Sequence, residues 1–589
     1  MSYGPGASYY TWLDYLPNLD LYYIEYDAAC AQKWAANTTD ATIFAGDQAD
    51  TAFLQDFMQK AGTDFDVIID DGGHQMQQQI TSLQWLWRAV KPGGLYFCED
   101  LQTSYWADYG GDPTNSGMKS TMMGMVKELV DDLNVGPGGH ARKHEISGDM
   151  RFIDYMSTME CGKEVAKQFA FADGYRNLNH GSFGTYPIPI RTTLRRFQDE
   201  AEAKPDHYIR YANPVYLDAA RSAIATHLHA PTPTCVFVPN ATTGMNTVLR
   251  SLVFHPKDTI IYFATIYGAC EKTISYIQET TPAQSHKITY TYPISDAKLC
   301  SLFETAVADV KAQGLNPKLA IYDTIVSMPG VRMPFEKLTA LCKKHGILSC
   351  IDGAHGVGHI PLNLSRLDPD FFFSNCHKWL HVPRGCAVFY TPERNQHLIR
   401  STLPTSWGFV PKSGEVAVSP LPVPEGKSAF VALFEYMATV DNSAYLCVPA
   451  ALAWREKVTW GDLSGEEAVM GYGAWVVREG AKLVAEVLGT EVMENEDGTL
   501  GKCQLANVRL PLEFGELAGG DVAKAGRIAQ WMFKVQGEEY GVVTPMLVYA
   551  EAWWVRLSGQ IYLTLEDFEV AAKGLKEICE RAKAGEWER

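Results

Sequence analysis

No run of apolar residues in this sequence approaches the roughly 18–20 needed to cross a bilayer. The first twenty residues, MSYGPGASYYTWLDYLPNLD, lack a basic segment followed by an apolar one, so no secretory signal is read there. Cationic excess is missing as well: Lys+Arg 51 against Asp+Glu 69 leaves a net charge of −18. A surface of that sign repels nucleic acid and anionic lipid, so neither is expected as a partner. The 13 cysteines are scattered and form no CxxC pair. An odd, scattered count without a signal is expected for reduced thiols in the cytoplasm. Internal repeats and low-complexity tracts are absent too. A chain that is 46% hydrophobic and 20% charged is neither disordered nor collagen-like.

What is present reads as α/β. At about 150 residues per domain, 589 residues allow up to about four domains or two large units. The first unit spans 1–162. Strand-like runs LDLYYIEYD, FDVIIDDGGH and GGLYFCEDL alternate with helical patterns, which predicts a parallel, doubly wound sheet. The stretches DYGGDPTNSGMKS and NVGPGGHARKHE read as loops. A second unit opens with a helical run, GKEVAKQFAF. Its buried-strand candidates are TCVFVP, DTIIYFATIY, KLAIYDTIVS, GILSCIDGAH and CAVFYT, again with helices between them. This large domain is expected over 163–425. Beyond PLPVPEGKS a long helical region and the strands NVRLPLEF and VRLSGQIYL predict a small α+β subdomain over 426–589.

The strongest chemistry lies between residues 235 and 385. FFFSNCHKWLHVPRG presents His377-Lys378 just after an apolar strand. Such a pair alone is more often a solvated strand end. Three further features change that weighting. Asp352, in IDGAHG, ends another apolar strand, at the carboxyl edge where parallel sheets bind ligands. VPNATTGMNTVLRSL is a strand, a small-residue turn and a helix, whose N-terminus offers N–H groups and hydroxyls of Thr242 and Thr243 to a phosphate. Arg556 is embedded in the apolar run WWVRLSGQIYL, as either a carboxylate ligand or a structural ion pair. Together these supply a lysine for a covalent link to an aldehyde, an acid for a pyridinium nitrogen and a phosphate cup, the parts that pyridoxal phosphate requires.

At these residues the sequence resembles the class V aminotransferases, fold-type-I pyridoxal phosphate enzymes, over about 167–589. The matching stretches are LNHGSFGTYP, VPNATTGMN, TIYGACEKT, IDGAHGVGH, NCHKWLHVPRG, TVDNSAYL and VRLSGQIY. It looks most like the isopenicillin-N-epimerase-like branch, which includes the lyases that cleave hercynylcysteine sulfoxide in ergothioneine biosynthesis. The resemblance implies that Lys378 holds the cofactor and moves protons, Asp352 pairs with the ring nitrogen, and His355 lies near the phenolic oxygen. It implies that Tyr267 stacks on the ring, and that Thr242, Thr243 and His377, with Asn375 nearby, bind phosphate. Thr439 would serve the neighbouring subunit's phosphate, which implies a homodimer with shared sites. Ser327, Asn179 and His180 would approach the substrate or line the entrance, Arg556 would clamp its carboxylate, and Tyr211 would belong to the substrate-facing shell. Cysteine desulfurases of the family carry a catalytic cysteine shortly before that arginine; EYGVVTPMLVYAEAWWV has none, so a thiolate nucleophile is excluded there. β-Elimination at a C–S bond needs no such thiolate, with Tyr267 as an acid for the leaving sulfur. Epimerisation and transamination share the same cofactor residues and stay open.

In the first unit, Asp70, Asp71, Glu99 and Asp100 end two strands, and acids there either cap turns or converge on a hard divalent ion such as magnesium. The segment DVIIDDGGHQMQQQITSLQWLWRAVKPGGLYFCEDLQTSYW resembles metal-dependent macrolide O-methyltransferases of the class I S-adenosylmethionine-dependent family, over about 3–162. The resemblance implies that Gly4, Gly6, Glu25 and Asp47 face S-adenosylmethionine, that Asp71, Glu99 and Asp100 hold Mg2+, and that His74 is a base. The family's first strand would lie before SYGPGAS, and only the tail of its Gly-rich turn is present. An incomplete sheet argues against cosubstrate binding, so a truncated or non-catalytic scaffold unit is expected, with a bifunctional methyltransferase as the alternative.

Overall fold

A computed structural model describes residues 19–35, 40–114, 120–133, 158–414, 422 and 426–588. The chain divides into two compact units, Met1–Tyr155 and Met156–Arg589. The second therefore begins a few residues ahead of the boundary that the sequence pattern predicts.

In the first unit, β1 (Leu21–Glu25) pairs in parallel with β2 (Ala41–Ala45), and β3 (Phe65–Asp70) pairs in parallel with β4 (Val90–Cys98). Strand β2 was not among the sequence candidates. Among the described residues the two pairs are separate two-stranded sheets. Packing still joins them: the Tyr22 and Phe65 rings meet edge to face at 5.5 Å beside Leu54, Phe57 and Leu86. Asp50 starts the helix Thr51–Ala61 by accepting the N–H groups of Ala52 and Phe53, which would otherwise lack partners.

The second unit opens with the short strand β5 (Met159–Glu160). Seven strands then build its main sheet: β6 (Cys235–Val238), β7 (Asp258–Phe263), β8 (Gln284–Ile288), β9 (Asn316–Asp323), β10 (Leu348–Asp352), β11 (Phe371–Ser374) and β12 (Ala387–Tyr390). Their order is β6-β12-β11-β10-β9-β7-β8, and β12 alone runs against its neighbours. The unbroken apolar runs follow from burial on both faces. Ile261 and Phe263 face one core, while Ile260 and Tyr262 face the other. Three candidate strands stop short of their apolar runs. β7 ends at Phe263, β9 at Asp323 and β10 at Asp352, and beyond β9 Thr324 N–H donates to Asp352 C=O as the chain leaves the sheet.

The predicted opening helix shrinks to Lys163–Ala166, because Phe169 and Phe171 are drawn against the Tyr562 ring at 4.8 and 4.9 Å. The expected long helical region is broken into Ala429–Glu435, Ser443–Leu446 and Val448–Arg455 before β13 (Val458–Trp460) and β14 (Leu463–Ser464). β5 joins β13 in parallel, which ties the start of the unit to this region. The helix Gly465–Leu488 and an antiparallel sheet of β15 (Leu505–Glu513), β16 (Met546–Tyr549) and β17 (Ala552–Ser558) form the small subdomain, with β17 central. β17 ends before Gly559, where a Cβ would lie 2.0 Å from the Gly473 carbonyl oxygen. No disulfide is present, and nine of the thirteen cysteines are buried. Among the described residues no helix is long and apolar enough to cross a membrane.

One ion pair, fully buried at its arginine end, fastens this region to the main sheet. Arg455, fully buried, bonds both Glu466 oxygens, the Trp379 C=O at 2.8 Å and the Gly358 C=O at 3.2 Å. Burial alone would raise the Glu466 carboxyl, but the guanidinium overrides it and holds the carboxyl below its ordinary range. Glu466→Gln is expected to cost about 3–5 kcal/mol by leaving Arg455 unpaired. A depressed folded-state value stabilises above the unfolded one and is lost as pH falls through the folded value. The stability gap between wild type and Glu466→Gln in urea titrations should therefore shrink as pH drops below the ordinary glutamate range.

Candidate active site

The C-terminal ends of β6, β7, β9, β10 and β11 run in one direction and open on one edge of the sheet. Just beyond β11 the short helix Cys376–Trp379 carries Lys378. Its Nζ lies 3.0 Å from His355 Nε2, and Trp379 Nε1–H donates to His355 Nδ1 at 3.2 Å. With Nδ1 accepting, a neutral ring carries its hydrogen on Nε2 and points it at the amine's lone pair. Burial, then the Lys378 charge, pushes His355 well below its ordinary value, which keeps the ring neutral. Burial, reinforced by the Arg556 charge and opposed by Asp352 and Asp323, brings Lys378 down to about 8. This amine is poised to act as a nucleophile and base.

Asp352, only 2% exposed, ends β10. It accepts the Ala354 N–H at 2.9 Å and the Cys270 S–H at 3.4 Å. Asp323 is its register partner at the end of β9, is 4% exposed, and has no partner for Oδ2.

Beyond β6, Asn240 caps the helix Ala241–Ser251 by accepting the Thr243 N–H at 2.8 Å. Asn375 Oδ1 accepts the Ala241 N–H at 2.8 Å, so it builds the turn. Thr242 and Thr243 stand half-buried in the first turn. His377 donates through Nδ1 to the Cys386 C=O at 2.8 Å, and burial lowers it to about 4, which leaves Nε2 as an acceptor on a neutral ring. Gly184 packs on this segment in a left-handed conformation (φ 63°), and a Cβ there would lie 1.8 Å from the His377 carbonyl oxygen. The donor set fits pyridoxal phosphate: a buried amine, a buried carboxylate for a ring nitrogen, and hydroxyls at a helix N-terminus for a phosphate. Lys378, Asp352 and Thr242–Thr243 would hold those three parts.

Arg556, 1% exposed, reaches the same edge from β17. Nη1 donates to the Ser327 C=O at 2.7 Å, and Nη2 to Asn179 Oδ1 at 2.9 Å and Ser182 Oγ at 2.7 Å. Its Nε has no partner. Burial lowers it to about 10. Among the described residues no carboxylate pairs with this guanidinium. Ser327 contributes its backbone carbonyl to Arg556, while Asn179 is buried and holds the guanidinium. His180 does not line an entrance. It is 0% exposed, bonded through Nδ1 to Tyr562 Oη at 2.9 Å and packed on Trp379.

Tyr267 is 51% exposed at the start of the helix Gly268–Thr280, whose first turn also carries Cys270 against Asp352. Thr439 is exposed and bonded to Tyr436 Oη, and Tyr211 is exposed beside the His207 ring. Neither is brought to Lys378 by any contact among the described residues.

In the first unit the converging groups are Asp71, His74 and Asp100, whose ligand atoms lie within 4.8 Å of one another. His74 replaces Glu99 in the expected metal set, because left-handed backbone at His74 (φ 57°) and Asp100 (φ 53°) turns these two side chains together at 3.3 Å. Glu99 remains close: burial, then the Asp71 and Asp100 charges, raises its carboxyl. Glu25 and Asp47 are occupied locally, by the N–H groups of Asp27 and Ala49 respectively. Gly4 and Gly6 lie outside the described residues.

Sequence reasoning missed Asp323, Ser182 and Trp379. Asp323 ends its strand as Asp352 does, Ser182 lies three residues after Asn179, and Trp379 directly follows the lysine.

The family model for class V aminotransferases matches residues 210–407. The L-cysteine desulfhydrase-like protein lolT1 of Epichloe uncinata is 40% identical over 71% of this chain and 96% of its own length. The hercynylcysteine sulfoxide lyase of Schizosaccharomyces pombe is 30% identical over 71% of this chain and 98% of its own. The demethylmacrocin O-methyltransferase of Streptomyces fradiae is 37% identical over 25% of this chain, which covers only 35% of that relative. Among solved structures, the cystine C–S lyase C-DES with cysteine persulfide shares the fold at TM-score 0.53 and 18% identity, over 69% of this chain and 97% of its own. With its lysine, acid and helix N-terminus assembled on one sheet edge, the chain belongs to the class V aminotransferase family of pyridoxal phosphate-dependent enzymes.

Proposed function

We propose that the second unit cleaves the C–S bond of a cysteine-derived amino acid by β-elimination, as in hercynylcysteine sulfoxide or cysteine itself. The observation that carries this reading is the Lys378 amine with its lone pair held by His355 beside Asp352 and Arg556. The names of the lolT1 and hercynylcysteine sulfoxide lyase relatives support the C–S bond as the target.

Pyridoxal phosphate, when bound, supplies an electron sink beside the substrate's α-carbon. Arg556 offers the α-carboxylate its unpartnered Nε–H, while Asn179 and Ser182 take both Nη2 hydrogens and hold the guanidinium in orientation. Lys378 Nζ takes the α-proton. The C–S electron pair leaves on sulfur, and the Tyr267 hydroxyl gives that sulfur a proton. The released enamine hydrolyses in water to pyruvate and ammonia. No thiolate is required, which agrees with a segment 539–555 free of cysteine.

The reading extends to a cytoplasmic homodimer in which Thr439, exposed on a turn, reaches the neighbouring copy's phosphate. For the first unit we read a methyltransferase-like module in which Asp71, His74 and Asp100 take a magnesium-sized ion and Glu25 and Asp47 face S-adenosylmethionine. The convergence of those three ligand atoms and the partial match to an O-methyltransferase support it.

Incubation of purified protein with cysteine-derived sulfoxides and plain amino acids should release pyruvate and ammonia from the sulfur substrates. Racemised or keto-acid products without pyruvate would turn the assignment to epimerisation or transamination. Arg556→Ala should weaken substrate by about 2–5 kcal/mol while cofactor affinity changes little, because one partner of a buried charge pair is removed. Equal losses of both would remove Arg556 from the substrate site. Capture of added pyridoxal phosphate by the cofactor-free protein should speed up about tenfold per pH unit below about 8 and level off above it, since only the neutral amine attacks. Absorbance after rapid mixing reads that rate, and Lys378→Ala should abolish it.

A further inference from the structure

The chemistry above uses one of two buried carboxyls. Asp323 and Asp352 are register partners at the ends of parallel neighbours β9 and β10. Adjacent strands lie about 4.8 Å apart and paired residues project from the same face, so the two carboxyls share one low-dielectric site. Both are more than nine-tenths buried. They are not equivalent. Asp352 accepts a backbone N–H and a thiol S–H, whereas Asp323 Oδ2 accepts nothing.

We propose that Asp323 is a positioning residue: it carries the one proton of this carboxyl pair, so that Asp352 alone holds the negative charge offered to the cofactor's ring nitrogen. The proposal rests on the reading of Lys378 and Asp352 as cofactor-holding groups. Two carboxylates buried on neighbouring strand ends disfavour each other's ionisation, and the proton settles on the one that receives fewer hydrogen bonds. The other groups facing Asp323 agree with that order. Lys378 acts on both acids, with Asp352 ahead of Asp323 among the charges that raise the amine. Cys270, from the helix Gly268–Thr280, bonds Asp352. Tyr290 and Tyr292, just beyond β8, lie near Asp323, and neither hydroxyl bonds its Oδ2. Burial, then the Asp352 charge, raises Asp323 well above the ordinary carboxyl range. A carboxyl here does what an amide cannot. It releases its proton when positive charge gathers across the cleft or when the neighbouring charge is lost.

The test is a double-variant cycle on the full chain, read by infrared spectroscopy and by the pyridoxal phosphate dissociation constant. Wild-type protein without cofactor should show the carbonyl stretch of an un-ionised buried carboxyl, and Asp323→Asn should remove it. Asp323→Asn should weaken the cofactor less than about threefold, since an amide imitates a protonated acid. Asp352→Asn should weaken it about tenfold, because Asp323 then ionises and takes over part of the charge. Adding Asp323→Asn to Asp352→Asn should cost about a further tenfold. Equal effects of Asp323→Asn in both backgrounds, or an infrared band that survives in Asp323→Asn, would overturn the proposal. A wild type that binds no pyridoxal phosphate would instead overturn the cofactor reading, and the band in cofactor-free protein would still report on Asp323.

Discussion

A lysine buried with its lone pair engaged is the constraint on which the second unit is built. Burial and the nearby guanidinium disfavour an ammonium there and bring Lys378 down to about 8, so the neutral amine, with His355 against it, lies within easy reach. The contact is part of a chain, indole to imidazole to amine: Trp379, His355, Lys378. Each link is immobilised by something else. His359 stacks on Trp379 at 3.8 Å, and Arg455 grips the Trp379 carbonyl from a helix end far along the sequence. The pair formed with Glu466 carries the constraint on into the helix Gly465–Leu488. The small subdomain is thus mechanically continuous with the amine, and its β17 also delivers Arg556.

The sheet makes a second contribution by direction alone. Parallel neighbours bring their carboxyl ends to one edge, so residues spread from 240 to 378 meet without any long loop having to fold over. Tight backbone contacts fix the spacing. Gly184 admits the carbonyl of His377, and Gly353 lies against Phe372 closely enough that a Cβ would sit 2.4 Å from the ring. The strand ends set the chemistry, and the strand interiors, apolar on both faces, hold those ends still.

The legible parts were those written in local punctuation. A strand ending in an acid, a strand followed by Asn and two threonines, and a strand followed by His-Lys announce ligand-binding edges, and Asp352, Thr242 and Lys378 stand where that grammar puts them. Asp323 carries the same local signal as Asp352, but its partner is set by β9–β10 register, which no short window of sequence encodes. His180 was misjudged for a related reason. NHGSFG reads as a polar, exposed turn, and only the fold presses the imidazole against Trp379 and Tyr562. Strand lengths were overestimated because apolar residues continue past the last ladder bond into buried turns. In the first unit, His74 in place of Glu99 depends on two left-handed backbone angles, a choice made by the turn and not by residue type.

Several buried sulfhydryl groups sit in this structure as un-ionised thiols. Burial pushes Cys235, Cys342, Cys447 and Cys503 up to about 12. Only the thiolate attacks electrophilic sulfur, so these side chains are chemically mute at neutral pH. Thiols held in this state are slow partners for any electrophilic sulfur that forms nearby.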